Sequence, residues 1–332
     1  MADSRKRVLV TGGAGFIGCH IVQQLLAAGH TPAVLDDLSS GDRDNIPPGV
    51  PFFHVDIRDP AATRRAIEEF RPQWISHQAA QMSVSRSVRE PQFDASVNIM
   101  GLLSVLDGAV AVQAERVVIA SSGGVLYGDV TEPADEDHPA NPVSPYGISK
   151  LVGEHYLRFY NREHGLTGAA LRYANVYGPK QNPHGEAGVV AIFCTRMFRG
   201  EQSTINGDGR YDRDYVYVDD VAAANLAVLG GTLKEPVRSF NVGTARKTDV
   251  NELAEELHRR CQAELKKRGR DIATPAPNHG PARPGDLRSN VISPARAGAE
   301  LGWKPQVDLA AGLERTVEWF ANRLLGTAPD GR

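Results

Sequence analysis

Tyr146 and Lys150 are the residues whose types and spacing first suggest catalysis. They lie four positions apart in a segment that Ser144 and Pro145 predict to begin a helix, so both side chains project from one helix face. A free phenol has a pKa of about 10, and a neighbouring ammonium group favours its ionised form. The pair therefore predicts a general base that works near neutral pH, unless it is an ordinary surface pair.

A glycine-rich segment near the start of the chain, Thr11–Gly18, predicts a phosphate-binding turn. Its glycines recur every third residue, beginning with Gly12 and Gly15. The segment lies between a predicted strand and a predicted helix, where the backbone can approach a pyrophosphate and the helix start offers free N–H groups. The predicted cofactor residues of this turn are Gly12, Gly15, Phe16 and Ile17.

Asp36 follows about twenty residues later, at the end of a second predicted strand. Its carboxylate can accept both hydroxyl groups of an adenosine ribose and repels a 2′-phosphate, so it predicts NAD rather than NADP. Asp37 is the alternative acid for this contact with the ribose. Asp56 and Ile57, after a third predicted strand, are expected to flank the adenine.

These residues need a scaffold that brings strand ends together. Short apolar runs alternate with helical periodicity in the first half of the chain, and the predicted strands are Arg7–Thr11, Thr31–Leu35, Pro51–Val55, Gln73–His77 and Arg116–Ser121. This alternation predicts an α/β fold, a Rossmann-type doubly wound parallel sheet. Ligands of such sheets bind at the carboxyl ends of the strands.

The alternation of short apolar runs with helical segments changes from about Tyr177, where Pro, Gly and Asn cluster. We predict an NAD-binding domain over residues 1–177, to which segments near 214–245 return, and a smaller, interleaved α/β domain over 178–325 that binds the substrate. The second domain is expected to close over the carboxyl edge of the sheet.

Composition excludes several classes of function. The net charge of -3 is wrong for a protein that binds nucleic acid, because such binding needs a concentrated positive face. No apolar run reaches the length of about 18 residues that a membrane span needs. The three cysteines are isolated, so no metal site is predicted. A cytoplasmic protein is expected, because no signal-peptide pattern precedes the first strand.

The chain resembles the extended short-chain dehydrogenases/reductases, and most of all the NAD-dependent UDP-glucose/UDP-galactose 4-epimerase group. The resemblance covers almost the whole chain, and the segments that carry it are Thr11–Gly18, Asp36–Gly41, Asp56–Asp59, His77–Gln81, Ser121–Gly128, Tyr146–Lys150, Arg172–Pro179, Gly207–Gly209, Arg213–Asp219 and Arg283–Asp286.

The resemblance implies further roles along the cofactor. Ala79, Ala80 and Asn98 would line the path of the pyrophosphate and the nicotinamide ribose. Lys150 would hold that ribose as well as tune Tyr146, which is the implied catalytic base. Tyr173 would border the nicotinamide.

The resemblance also implies a substrate site. Asn175 would reach the sugar diphosphate, and Arg213 and Arg283 would clamp its phosphates through their planar guanidinium groups. Asp286 would bind near the nucleotide-sugar, and Asn290 occupies a position that limits bulk at C2 of the sugar. The small side chain of Asn290 leaves N-acetylated sugars possible as substrates.

One position departs from the family pattern. The third residue of the usual Ser-Ser-Ser or Ser-Ser-Thr run supplies a hydroxyl to the reacting sugar oxygen, and here it is Gly123. Either Ser122 replaces it, or Tyr146 works without a hydroxyl relay, or water fills the gap. The next two residues, Gly124 and Val125, are not the acidic pair of the related 4,6-dehydratases, so elimination of water is not expected.

The predicted reaction is therefore NAD-dependent C4 epimerisation of a UDP-hexose through a 4-keto intermediate and transient NADH. UDP-glucose and UDP-galactose are the first choice of substrate. If Arg196 turns inward, it could pair with a C6 carboxylate and select UDP-glucuronate. The same residues are also compatible with UDP-N-acetylglucosamine as substrate, with a net nucleotide-sugar oxidoreduction and with a non-catalytic NAD-sensing relative.

A homodimer is expected from the resemblance. Relatives pack the helix that carries Tyr146 and the preceding helix, here about Phe93–Val112, into a four-helix bundle. Apolar residues along the second helix are consistent with burial on two sides.

Overall fold

A seven-stranded parallel sheet forms the centre of the molecule in the computed structural model, which describes residues 5–183, 188–282 and 286–326. Its strands in chain order are β1 (Arg7–Thr11), β2 (Thr31–Asp36), β3 (Phe52–His54), β4 (Trp74–His77), β5 (Arg116–Ser122), β6 (Gly168–Tyr173) and β11 (Val237–Val242). Their spatial order is β3-β2-β1-β4-β5-β6-β11, with every pair parallel. The predicted fold class is confirmed.

The two faces of this sheet are covered by some of the twelve α-helices in the described part of the chain. They are α1 (Phe16–Ala27), α2 (Pro60–Phe70), α3 (Val84–Arg89), α4 (Pro91–Ala95), α5 (Leu102–Ala111), α6 (Gly123–Leu126), α7 (Pro145–His164), α8 (Val189–Phe198), α9 (Val218–Gly230), α10 (Val250–Lys267), α11 (Ala295–Leu301) and α12 (Leu309–Leu325). Side chains of β1 alternate between two cores: Val8 and Val10 join the core under α1 and α9, and Leu9 joins the core under α2, α5 and α7. Burial on both faces explains why the successive residues Val8, Leu9 and Val10 of β1 are all apolar.

A third core lies away from the sheet. Helices α8, α10 and α12 pack on one another there, through residues such as Phe193, Leu257 and Phe320. Three short parallel pairs accompany it: β7 (Asn175–Tyr177) with β10 (Tyr215–Tyr217), β8 (Thr204–Asn206) with β12 (Asn278–Gly280), and β9 (Asp212–Arg213) with β13 (Ser289–Asn290). The two-domain division stays a prediction, although β11 does return to the edge of the central sheet.

The helix expected at about Phe93–Val112 spans Pro91–Ala111 and is less regular than a single α-helix. Between α4 and α5 the chain makes a π-helical turn over Ser96–Gly101, so that Pro91–Ala111 is continuous. This 21-residue helix has the length and apolar composition of a membrane span, but 50% of its most apolar window is buried, where it packs against α2 and α7. Single π-helical turns inside α-helices occur frequently at functional sites.

Candidate active site

Helix α7 begins as the sequence predicts. The Ser144 side chain accepts a hydrogen bond from the Gly147 backbone N–H at 3.1 Å, and Pro145 occupies the first turn, where its missing N–H costs nothing. Tyr146 and Lys150 therefore lie on the same face, and the Lys150 ammonium is 5.6 Å from the centre of the Tyr146 ring. Lys150 is buried and the Tyr146 ring is partly buried.

The electrostatics of this pair show what the protein alone contributes to the ionisation of Tyr146. Burial raises the pKa of Tyr146 to about 12, a hydrogen bond from the Ser122 hydroxyl opposes this rise, and the charge of Asp94 adds to it. Burial also lowers the pKa of Lys150 to about 8. Desolvation penalises both charged forms, so the protein alone holds Tyr146 as a neutral phenol, and the ammonium by itself does not make it a base at neutral pH.

Ser122 is the hydroxyl that reaches Tyr146, because residue 123 has no side chain to offer. The neighbouring Ile292 fills the space in which a side chain at Gly123 would lie: a Cβ built on Gly123 would be 2.6 Å from Ile292 Cδ1 and 3.1 Å from Ile292 Cγ2. The hydrogen bond between Ser122 and Tyr146 instead comes from the end of β5, one residue earlier. Of the three possibilities left open by the sequence, this geometry favours replacement by Ser122.

The glycine turn has the shape of a phosphate cradle. Gly12 has a φ of 67°, and a Cβ on it would lie 2.6 Å from the backbone nitrogen of Ala79. Helix α1 starts without a side-chain cap and without an acidic residue in its first turn, which leaves its N–H groups and positive dipole end available to an anion. Within Thr11–His20 the partly exposed residues are the four predicted for the cofactor, Gly12, Gly15, Phe16 and Ile17. The turn therefore fits a dinucleotide pyrophosphate.

The acids after the strands have different surroundings. Asp36 is 7% exposed, and its two oxygens accept hydrogen bonds from the Ala14 N–H at 3.0 Å and the Leu38 N–H at 2.8 Å. Each oxygen keeps a further lone pair for a ribose hydroxyl. Asp37 instead is exposed and binds the N–H and hydroxyl of Ser39.

The expected adenine-flanking residues lie after β3. Asp56 forms an ion pair with Arg58 at 2.5 Å, which holds the pKa of the Asp56 carboxyl below its usual value. Ile57 is buried beneath Gly101, whose missing side chain makes room for it.

The loop after β4 lies against the glycine turn. The Gln78 N–H donates to the Thr11 carbonyl at 3.0 Å, and the Ala79 N–H lies 3.3 Å from the Thr11 hydroxyl. Ala79 and Ala80 are both partly exposed. Asn98, in the π-helical turn, holds this loop in place because its side chain exchanges two hydrogen bonds of 2.9 Å with the backbone of Gln81.

Tyr173 lies at the end of β6, beside this loop. Its hydroxyl donates to Gln78 Oε1 at 3.2 Å and accepts from Asn225 Nδ2 at 2.8 Å, and burial raises its pKa. The sequence did not single out Gln78 or Asn225, whose amides fix the ring of Tyr173.

The short strand pairs bring together most of the predicted substrate residues. Pairing of β9 with β13 places Arg213 opposite Asn290, and Arg213 Nη2 lies 2.6 Å from Asp286 Oδ1. Asn290 is 1% exposed and donates to the Gly128 carbonyl at 3.3 Å. The Asn175 amide donates to the Asp214 carbonyl at 3.1 Å, which leaves its oxygen unused by that bond.

Two predicted substrate residues are not in this group. Arg283 lies outside the described residues. Arg196, near the end of α8, donates to the Gln202 carbonyl at 3.2 Å, within its own helix-to-strand connection. This hydrogen bond uses one of the five N–H donors of its guanidinium group.

Asp214 is a residue that sequence reasoning missed. It is fully buried, and its carboxylate accepts hydrogen bonds from the Thr244 hydroxyl at 2.5 Å and from the N–H groups of Thr244, Ala245 and Ile292. It fixes the chain beside Arg213. Its position between Arg213 and the apolar strand β10 was the available signal.

A buried polar network, in which side chains are joined by hydrogen bonds, supports the site from the interior. Arg172 donates twice to Glu154, at 2.8 Å each, and once to the Tyr127 hydroxyl at 2.7 Å. Tyr127 donates to Asn241 Oδ1, and the Asn241 N–H donates to Glu136, both at 2.7 Å. At one end of this network, Arg296 on α11 lies 3.5 Å from Glu136. At the other end, Glu154 lies two turns beyond Tyr146 on α7 and also accepts a hydrogen bond from the Ser121 hydroxyl at 2.7 Å.

The comparisons with known proteins agree with this geometry. The model of the NAD dependent epimerase/dehydratase family matches residues 8–243. The UDP-glucose 4-epimerase of Mycolicibacterium smegmatis is 44% identical over 323 residues, which cover 96% of this chain and 99% of that protein.

Two solved structures extend the similarity to the fold. The UDP-glucose 4-epimerase of Thermotoga maritima, crystallised with UDP-glucose, superposes with a TM-score of 0.88 at 44% identity, over 96% of this chain and 99% of that one. The UDP-glucose 4-epimerase of Thermus thermophilus in complex with NAD has a TM-score of 0.85 at 46% identity, over 95% and 98% of the two chains. This chain therefore belongs to the NAD-dependent epimerase/dehydratase family.

Proposed function

We propose that this protein interconverts UDP-glucose and UDP-galactose by inverting C4 of the hexose, with NAD as its cofactor. The observation that carries the proposal is that Tyr146 and Lys150 lie together with Ser122, which is the last residue of β5. Relatives named UDP-glucose 4-epimerase that align over nearly the whole chain support the choice of reaction.

The glycine turn and Asp36 are the residues that would hold NAD, the first at its pyrophosphate and the second at its adenosine ribose. Asn98 would act by fixing the Ala79–Ala80 loop against the turn, and Tyr173 would border the nicotinamide. When bound, NAD would supply a hydride-accepting ring that carries a positive charge.

Tyr146 is the proposed proton carrier. As a phenolate it accepts the proton of the C4 hydroxyl while C4 is oxidised to a ketone, and it returns the proton to the same oxygen when C4 is reduced from the opposite face. Lys150 stabilises the phenolate with its ammonium group, 5.6 Å from the ring centre. Ser122 supports the same oxygen by donating its hydroxyl proton in a hydrogen bond.

Arg213 is the proposed anchor for the diphosphate while the 4-keto sugar rotates to present its opposite face. Its hydrogen bonds to the Asp212 carbonyl and to Asp286 use two of the five N–H donors of a guanidinium, so donors remain for phosphate oxygens. Asp286 keeps the guanidinium oriented. Arg283 stays a predicted second clamp, and Asn175 a predicted contact to the diphosphate.

We propose glucose rather than glucuronate as the sugar because relatives that align over nearly the whole chain are named UDP-glucose 4-epimerase. A C6 carboxylate would need a cation in the site, and Arg196, which donates one hydrogen bond to the Gln202 carbonyl, would have to supply it through its other N–H donors. Asn290 remains the residue proposed to set the limit on bulk at C2.

Turnover by the purified protein without added NAD tests the proposal. UDP-galactose should be converted to UDP-glucose, with bound NAD detectable in the protein, whereas a net oxidoreductase would stop after one equivalent of cofactor. Tyr146→Phe should lower kcat by about 10²-fold or more while UDP-sugar binding persists. Tyr156→Phe, on the same helix, is the matched control; equal turnover of both variants would contradict the role of Tyr146.

We also propose a homodimer. Met100 on the long helix and Ile148 and Phe159 on α7 are 59%, 49% and 41% exposed, an unusual number of large apolar side chains for two adjacent helices. Packing these helices against a second copy would bury them in a four-helix bundle. Ile148→Glu should give a monomer in sedimentation, and Leu26→Glu, at a 41% exposed position on α1, should not. The cytoplasmic location stays a prediction.

A further inference from the structure

Asp94 is a buried acidic residue to which the roles above give no part. It is 1% exposed and lies in α4, just before the π-helical turn. The side-chain amides of Gln81 and Asn98 both donate to its Oδ1, at 2.9 and 3.0 Å. Both donors are neutral, and a buried carboxylate with neutral partners is costly unless an opposite charge faces it.

The opposite charge lies on the neighbouring helix. Asn98 Nδ2 also lies 3.3 Å from the Ser149 hydroxyl oxygen, and that hydroxyl donates to the Tyr146 carbonyl at 2.9 Å. Asp94 is thus connected through two side chains to the turn of α7 that carries both Tyr146 and Lys150. Burial lowers the pKa of Lys150 to about 8, and the negative charge of Asp94 acts against that fall.

We propose that Asp94 is a positioning residue whose buried negative charge keeps Lys150 an ammonium ion, while the amides that bind Asp94 fix the catalytic turn of α7. The inference rests on the proposed roles of Tyr146 and Lys150 and adds a group that acts through them. Asp94 itself is assigned no contact with the substrate or the cofactor.

Other titratable groups around Lys150 do not supply this charge. Burial, together with the charge of Lys150, lowers the pKa of His77 at the end of β4 to about 3, so its ring is neutral at physiological pH. Glu154, one turn further along α7, is compensated by two hydrogen bonds from Arg172. Within the described part of the chain, Asp94 is therefore the uncompensated negative charge that acts on Lys150.

Asp94→Asn separates the charge from the geometry. Because both amides donate to Oδ1, the asparagine oxygen can accept both bonds, and the substitution removes the charge while it keeps these two contacts. Removing a nearby negative charge lowers the pKa of a phenol and of an ammonium alike, so the pH profile of kcat/KM should move to lower pH by about 1 unit. Asp94→Glu keeps the charge and should keep the wild-type profile.

A second measurement does not depend on turnover. The near-ultraviolet absorbance of tyrosinate, titrated in the protein and corrected with Tyr146→Phe, follows Tyr146 directly and should show the same shift in Asp94→Asn. A protein that lacks epimerase activity but shows this shift would refute the proposed function and leave the role of Asp94 standing.

An unshifted titration and an unshifted profile in a folded Asp94→Asn protein would overturn the role of Asp94 alone. Asp94→Ser is a second charge-free variant. If neither charge-free variant folds while Asp94→Glu does, the residue is structural and the proposal is wrong.

Discussion

Gly123→Ser is a substitution whose cost follows directly from the packing around Ile292. The new Cβ would lie 2.6 Å from Ile292 Cδ1 and 3.1 Å from Cγ2, so the isoleucine must move within a packed core. Overpacking of this kind costs about 1–3 kcal/mol. For a chain of this length, a loss of about 2 kcal/mol lowers Tm by about 3 °C.

The matched control is the next residue. A Cβ on Gly124 would meet nothing closer than Ser122 Oγ, at 3.7 Å, which is ordinary contact. Gly124→Ser should therefore leave Tm unchanged or raise it slightly, because serine is a better helix former than glycine and position 124 lies within α6.

The pair can be tested as a double-mutant cycle by thermal unfolding. Ile292→Val removes Cδ1, the atom in closest conflict, and by itself costs about 1 kcal/mol. Gly123→Ser combined with Ile292→Val should then be more stable than the sum of the single effects by about 1 kcal/mol. If the two effects simply add, or if Gly123→Ser is as stable as Gly124→Ser, then Ile292 does not exclude a hydroxyl at position 123.

Three further predictions concern charge. Epimerase activity should fall above pH of about 8, as the Lys150 ammonium, whose pKa burial lowers to about 8, loses its proton, and a pH–rate profile of Lys150→Met should lack that limb. Glu154→Gln should destabilise the protein by about 3–5 kcal/mol in urea, since it leaves Arg172 buried and unpaired. Burial acts to raise the pKa of the Glu154 carboxyl, but the Arg172 guanidinium holds it below its usual value. The stabilisation by this ion pair is therefore present above the unfolded-state pKa and is lost as the pH falls through the folded-state pKa. If the unfolding midpoint of Glu154→Gln at neutral pH equals that of the wild type, the ion pair does not stabilise the protein. Asp36→Ala should lose bound NAD while Asp37→Ala retains it, as measured by the absorbance of cofactor released on denaturation, and equal loss in both would contradict the assignment.

Local patterns gave the parts of the site that depend on local structure. The glycine turn follows from the spacing of Gly12 and Gly15, and the start of α7 follows from Ser144 and Pro145, because each motif sets its own backbone. The parallel sheet follows from the alternation of short apolar runs with helices. These features needed no knowledge of distant contacts.

Features that join distant segments could not be read in the same way. Ile292 fills the space beside Gly123 although 169 positions separate them in the sequence. The high pKa of Tyr146 arises from burial by several segments, and the sequence of its own helix does not indicate that burial. Asp94 looks like a surface residue of an amphipathic helix until the π-helical turn and Gln81 enclose it.

The buried polar network that supports the site limits how this protein can be recombined with its relatives. Its members come from widely separated parts of the sequence, with Glu136 before α7 and Arg296 near the end of the chain. A chimera that takes these two residues from different parents risks placing an unmatched charge in the interior. Crossovers that inherit the set from Tyr127 to Arg296 as one unit avoid this, so the C-terminal segment is not an exchangeable cassette.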